Sequence, residues 1–424
     1  MRAGIAAGSA VRWLLAGLAA LTSMQARAQV APLVGGPPPP TEGAPQGPVF
    51  SPFVQETVTA DDNVFRISDR ADPMTVIGYP VRSDTYLTTS VGLTADVPVS
   101  LQRIEASLAY NTVHYDRFRN LDYDGYDLHG SWLWQLGREL SGEVGVTDSY
   151  TLEPFSEVLG VVPDKLHLRE EFAKGSWLIT PDWKLYLGGD DLVQSNSAPA
   201  GQYNNVTVDS FEGSLSRLGG AGDWIGLDGR FEMGRFPVGE PVFGTVTVNN
   251  NYDQYGYGVV VDWGEGTPSR IVARADEIQR RYYELTQRNL NLTTARIEYT
   301  WTPSVKTLVS VIAERDISPY EYVRSSLVLV KGIILHPLWH ATPKIDVSAE
   351  LGAVSRSYLA DPLITVGLQP PRADNFHMVE ALISYRPVEH VTLTLSATHE
   401  QRSSNVQFGD YLDTNYWLRV RLAL

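Results

Sequence analysis

Val391-Thr392-Leu393-Thr394-Leu395-Ser396-Ala397-Thr398 alternates apolar and polar residues without interruption. In an extended chain successive side chains point to opposite faces, so this segment has one apolar and one polar face. The same period recurs in Ile345-Asp346-Val347-Ser348-Ala349-Glu350-Leu351, in Ile104-Glu105-Ala106-Ser107-Leu108 and in Trp183-Lys184-Leu185-Tyr186-Leu187. The polar set contains charges, so that face meets water. Many short segments of this kind are the pattern of a β-barrel wall.

Turn residues punctuate these segments at regular intervals. Breaks fall near Pro98, Gly137, Pro181, Gly220, Gly264, Pro303, Pro343 and Pro387, at spacings of 39, 44, 39, 44, 39, 40 and 44 residues. A spacing of about 40 fits one hairpin of two long strands, a short turn at one end and a longer loop at the other. Eight such turns join eight pairs, and one further strand at each end makes 18. The longer breaks, 67–82, 236–250 and 358–375, are polar and alternate with the short ones. The expectation is an all-β protein: a closed antiparallel transmembrane barrel of about 18 strands over 49–424. Both termini are expected on the periplasmic side with the short turns. The last strand ends the chain at Leu424 and closes against the first, removing both sheet edges.

Tryptophan follows the same geometry. Trp132, Trp134, Trp177, Trp183, Trp224, Trp263, Trp301 and Trp339 lie within about six residues of a proposed short turn, and Trp417 lies near the C-terminus. Tryptophan favours the membrane–water interface, so these nine are expected to form an aromatic girdle.

The N-terminus reads as a targeting segment. Arg2 and Arg12 precede a short apolar run at 13–21, and Ala26-Arg27-Ala28 supplies a cleavage pattern. Residues 1–28 are therefore expected to be a secretory signal peptide. Residues 29–48, with Pro37-Pro38-Pro39-Pro40, read as a flexible linker. The chain carries a formal charge of −15; the signal holds three Arg and no acid, which leaves −18 on the rest. That balance argues against a nucleic-acid partner. There is no Cys, so no disulfide holds the fold in an oxidising compartment.

Signs of chemistry are sparse. The eight His are dispersed, no H-E-x-x-H or G-x-S-x-G occurs, and Gly256-Tyr257-Gly258 lacks the Lys-Ser/Thr of a phosphate loop. Asp61-Asp62-Asn63 matches no calcium loop and reads as a strand-to-loop turn. A lipid-modifying barrel could still gather Ser and His from separate strands. No catalytic residue, metal or cofactor is expected.

The polar face carries the functional expectation. With the apolar set facing lipid, charges must turn inward, since Arg or Lys at the bilayer midplane costs about 2–4 kcal/mol. Arg230, Arg274, Arg296, Arg419 and Arg421 are the candidates for a solute path, with Asp228, Glu232, Asp276 and Glu298 as acidic neighbours. The competing reading is a ladder of internal ion pairs that stiffens the wall. Parity is ambiguous in 166–178 and 322–336, and no faces are assigned there.

The segment Ser51-Pro52-Phe53-Val54-Gln55-Glu56-Thr57-Val58-Thr59-Ala60-Asp61-Asp62-Asn63-Val64-Phe65-Arg66 resembles the opening strand of the EpsL-type exopolysaccharide-biosynthesis outer-membrane barrels, in the β-barrel porin-2 group. The resemblance implies an outer-membrane location, export of an extracellular polysaccharide and contact with periplasmic export machinery. It names no sugar-binding residues. The alternatives are a general or small-solute porin and a structural or adhesive barrel with a plugged lumen. A chain-width lumen would favour export, a narrow constriction a small-solute porin, and a sealed interior the structural barrel.

Overall fold

Eighteen long strands, each hydrogen-bonded to the strand before and after it, leave no free edge only if the last pairs with the first. The computed structural model shows that closure. It describes residues 48–156, 161–220, 222–243, 246–318, 325–360 and 371–424. The expected signal peptide (1–28) and all but Pro48 of the linker (29–48) lie outside these residues.

The wall begins with β1 (Val49–Asp61), β2 (Asp84–Val99), β3 (Gln102–Tyr115), β4 (Tyr123–Leu136) and β5 (Leu140–Leu152). It continues through β6 (Lys165–Thr180), β7 (Trp183–Asn196), β8 (Val206–Leu218) and β9 (Trp224–Arg235). A small hairpin, β10 (Glu240–Phe243) and β11 (Val246–Val248), stands apart in the next loop. The wall resumes with β12 (Tyr252–Trp263), β13 (Ser269–Tyr282), β14 (Leu290–Ser304), β15 (Thr307–Ser318) and β16 (Ser325–Thr342). It ends with β17 (Ile345–Ala360), β18 (Ala373–Val388), β19 (Val391–Ser404) and β20 (Tyr411–Ala423). All neighbours are antiparallel, and β1 closes on β20 from Phe53 opposite Ala423 to Asp61 opposite Asn415. The result is a closed antiparallel 18-stranded barrel.

All eight expected short turns lie within two residues of their marker. β2 and β3 are joined by Ser100-Leu101, β6 and β7 by Pro181-Asp182, and β16 and β17 by Pro343-Lys344. Gly137 and Gly264 adopt φ of 66° and 86°, which only glycine takes without strain. Pro303 and Pro387 sit where the pairing register shifts beside a turn, so their missing N–H groups break no regular ladder. The ends of β1 and β20 share the rim of the short turns.

Parity sets the outer surface. Leu187, Leu227 and Trp263 are 59%, 70% and 65% exposed, as a lipid-facing surface requires. Trp132, Trp177, Trp183, Trp263, Trp301 and Trp339 are exposed around the short-turn end, and Trp134 lies outward over Gly142. A second aromatic level includes Tyr110, Phe211, Tyr255 and Tyr416. Trp263 and Tyr255 share one face of β12, eight residues apart. That is ~26 Å along a strand, or roughly 20 Å along the axis at a ~40° tilt, close to the height of an apolar belt.

Two tryptophans depart from the girdle. Trp224 and Trp417 are 5% and 7% exposed and face the lumen. Both occupy the opposite parity from the belt residues of their strands, and each lies beneath a cation, Lys184 at 4.7 Å and Arg419 at 4.7 Å. Proximity to a turn gave their height but not their side.

The seam is latched by the Asp61-Asp62-Asn63 run. Arg66, in the left-handed region at φ 53°, sends Nη1 to Asp61 at 3.0 Å and Nη2 to Asp413 at 2.9 Å. The Asp62 carboxylate accepts the Thr414 N–H, and the Asn63 amide donates to the Leu412 and Ile67 carbonyls. The run therefore joins the end of β1 to β20. Asp61, Asp62 and Asp413 could converge on a cation, but the Arg66 guanidinium lies between Asp61 and Asp413.

Candidate functional site: the lumen and its mouth

Inward parity on β9, β13 and β14 brings seven of the nine candidate residues to one wall. Arg274 donates Nη2 to Asp228 at 2.5 Å and Nε to Asp276 at 2.6 Å, and lies 3.6 Å from Glu212. Arg230 bridges Glu232 at 3.4 Å and Glu212 at 3.7 Å. Arg296 pairs with Glu314 at 2.9 Å and approaches Glu298 at 3.8 Å. Gln254 donates to Glu232 at 2.6 Å and accepts from Arg280 Nε at 2.9 Å. Tyr186 donates to Glu212 at 2.6 Å. Six carboxylates thus surround Arg230, Arg274 and Arg296. Each of these guanidinium groups lies within 4.0 Å of two or three carboxylates, so together they brace the wall. The structure adds Glu212, Glu314, Tyr186, Gln254 and Arg280 to the sequence-derived set. Their inward parity was visible in the sequence; which of them meet across strands depends on register.

Arg419 and Arg421 are set apart. They lie on β20, nine strands from β9 in either direction around the barrel, and nearer the short-turn rim. Neither has a carboxylate within 4.0 Å among the described residues. Arg421 lies over the Phe53 ring at 3.7 Å, and Phe53 covers the space that a side chain at Gly92 would need. Arg419 lies over Trp417 and donates Nε to the Thr57 hydroxyl at 3.3 Å. An aromatic face holds a guanidinium without neutralising it, so the planar donor forks keep capacity for an anion.

The long-loop end is narrowed from within. Phe65, Phe118 and Phe155 come from three loops and meet at centroid separations of 4.7–4.8 Å. They pack with Val113 and Tyr115 on the inner face of β3. Ser156, in the loop after β5, reaches β19: Arg402 Nη1 donates to its carbonyl at 2.9 Å, and both residues are buried. β5 and β19 are six strands apart around the wall. Arg70 reaches from the first loop to Asp410 at 2.5 Å and, through that hydrogen bond, holds the Asp410 carboxyl below the ordinary carboxylate range. Nothing in local sequence marked the Arg402–Ser156 contact, since 246 residues separate the partners.

A closed antiparallel barrel with an apolar exterior and a charged interior belongs to one class, the transmembrane β-barrels of the bacterial outer membrane. Among solved structures the chain is similar to Pseudomonas aeruginosa OccK2 (OpdF) in complex with glucuronate, at 8% identity, covering 89% of this chain and 98% of that one, with a TM-score of 0.47. It is similar to OpdK of the same organism with vanillate, at 8% identity, 88% and 99% coverage and a TM-score of 0.46. It also resembles OccAB3 of Acinetobacter baumannii, at 8% identity, 89% and 99% coverage and a TM-score of 0.44. No family model matches the chain, and no curated protein is similar to it.

Proposed function

We propose that this barrel is a selective channel for small anionic solutes, with Arg419 and Arg421 as the groups that attract them. The carrying observation is the contrast between two lumen walls: three arginines on one, each within 4.0 Å of at least two carboxylates, and two on the other with no carboxylate that close among the described residues. A cation already paired offers a passing anion little, whereas one propped on an aromatic ring retains its field. The inner packing of Phe65, Phe118 and Phe155 and the Arg402–Ser156 contact narrow the mouth, which suits a small solute better than a polysaccharide chain. The export role and the periplasmic machinery implied by the opening strand gain no support from this geometry. The loop-rich mouth would face the exterior, and the short turns and chain ends the periplasm. Reversal potentials across planar bilayers, compared between wild type and Arg419→Gln/Arg421→Gln, test the reading.

A further inference from the structure

The outer surface is divided by charge. Beyond the apolar belt, β5 to β13 carry Asp148, Glu171, Asp191, Asp209 and Glu277 on their outward face, with Arg169 beside Glu171 and Arg235 3.2 Å from Asp209. From β15 to β20 every strand Asp and Glu among the described residues has inward parity: Glu314, Asp316, Asp346, Glu350, Asp374, Glu380, Glu400 and Asp413. On a chain with a net charge of −15, the outward strand face of that half carries no acid among the described residues.

Arg315 and Lys331 stand out on it. They face each other directly across β15 and β16, on the same side as Ala313 and the exposed Ile333. Neither has an acidic partner among the described residues, and the Arg315 Nε is buried with no acceptor. Like charges placed directly opposite in a sheet repel, and lipid-facing cations are costly unless they reach the interface. Arg315 lies nine residues beyond Lys306 of one short turn, and Lys331 twelve before Pro343 of the next. At ~3.3 Å per residue and a ~40° tilt, these separations place the pair roughly 23–30 Å above that rim, at the far edge of the belt. Ser355 is the next residue across from Lys331, and Asn375 the next again, adding neutral polar groups.

We propose that Arg315 and Lys331 bind the phosphate of a lipid headgroup in the leaflet at the long-loop end. A phosphate offers oxygens to both cations at once, which relieves their repulsion and gives the buried Nε an acceptor. Adjacent apolar residues at Ala313 and Ile333 accommodate the acyl chains. The inference needs the barrel to span a membrane but does not depend on the channel reading, so its failure leaves that reading untouched.

The full chain, purified in neutral detergent, would be given micelles containing diphosphoryl lipid A or its dephosphorylated form, and retention read by native mass spectrometry. Wild type should retain the phosphorylated lipid preferentially. Arg315→Gln/Lys331→Gln should lose at least about tenfold in affinity, and Arg315→Lys should keep most of it, as expected for a charge-assisted site. Equal retention of the two lipids by wild type would overturn the proposal, and that comparison holds even if the double variant fails to fold. So would undiminished retention by a folded double variant. Displacement of the lipid by millimolar inorganic phosphate would make this a free-anion site and overturn the lipid assignment.

Discussion

Replacing Arg274 with Met separates the two readings of the lumen charges. Arg274 is 6% exposed, and the side chains of Asp228, Asp276 and Glu212 around it are 3%, 7% and 8% exposed. Met keeps the unbranched apolar stem and removes the charged head, stranding three carboxylates in a space that water barely reaches. Removing one partner of a buried pair costs about 3–5 kcal/mol. Counting the two short charge-assisted hydrogen bonds separately, at about 1.5–3 kcal/mol each, gives a similar range. Urea unfolding of the refolded barrel, followed by heat-modifiable electrophoretic mobility, should show that loss. Adding Asp276→Asn to Arg274→Met should recover part of it, because one stranded charge is gone. A loss below about 1 kcal/mol, or no recovery in the double variant, would refute the view that this wall is a structural brace.

Two further variants probe the seam and the mouth. Arg66→Ala should cost about 3 kcal/mol in the same unfolding assay by exposing Asp61 to Asp413, and Arg66→Gly about 1 kcal/mol less, since glycine accepts the left-handed φ. Arg402→Ala should release Ser156 from β19, raising single-channel conductance and hastening proteolysis within 153–164; an unchanged conductance would mean that this contact does not define the constriction.

The barrel was legible because its two periodicities are coarse and mutually consistent. Alternation fixed the faces of β17 and β19, and the Pro and Gly breaks fixed the hairpins. Parity failed in 166–178 and in 322–336, of which 325–336 are described, for a physical reason: both segments run past the apolar belt while still paired in the wall. Their outward positions therefore hold His167, Arg169 and Glu171 in one case and Lys331 in the other. All nine candidate lumen residues have inward parity, yet sequence alone did not separate them. Arg274 and Arg419 have the same parity relation to their strands. Only cross-strand register shows three carboxylates around the first and an aromatic ring beneath the second. The Asp61-Asp62-Asn63 run was readable as a turn, but its bond to Asp413 requires closure of the barrel to be known.

The selectivity of the barrel should be set by Arg419 and Arg421. A single barrel in a planar bilayer under a potassium chloride gradient gives it a direct readout, the reversal potential. Wild type should prefer chloride despite its net negative charge, because Arg419 and Arg421 rest on aromatic rings with no carboxylate within 4.0 Å among the described residues. Arg419→Gln/Arg421→Gln, folded and inserted normally, should lose that preference or turn weakly cation-selective. A wild-type barrel that already prefers potassium, or a double variant with an unchanged reversal potential, would rule out Arg419 and Arg421 as the selectivity groups.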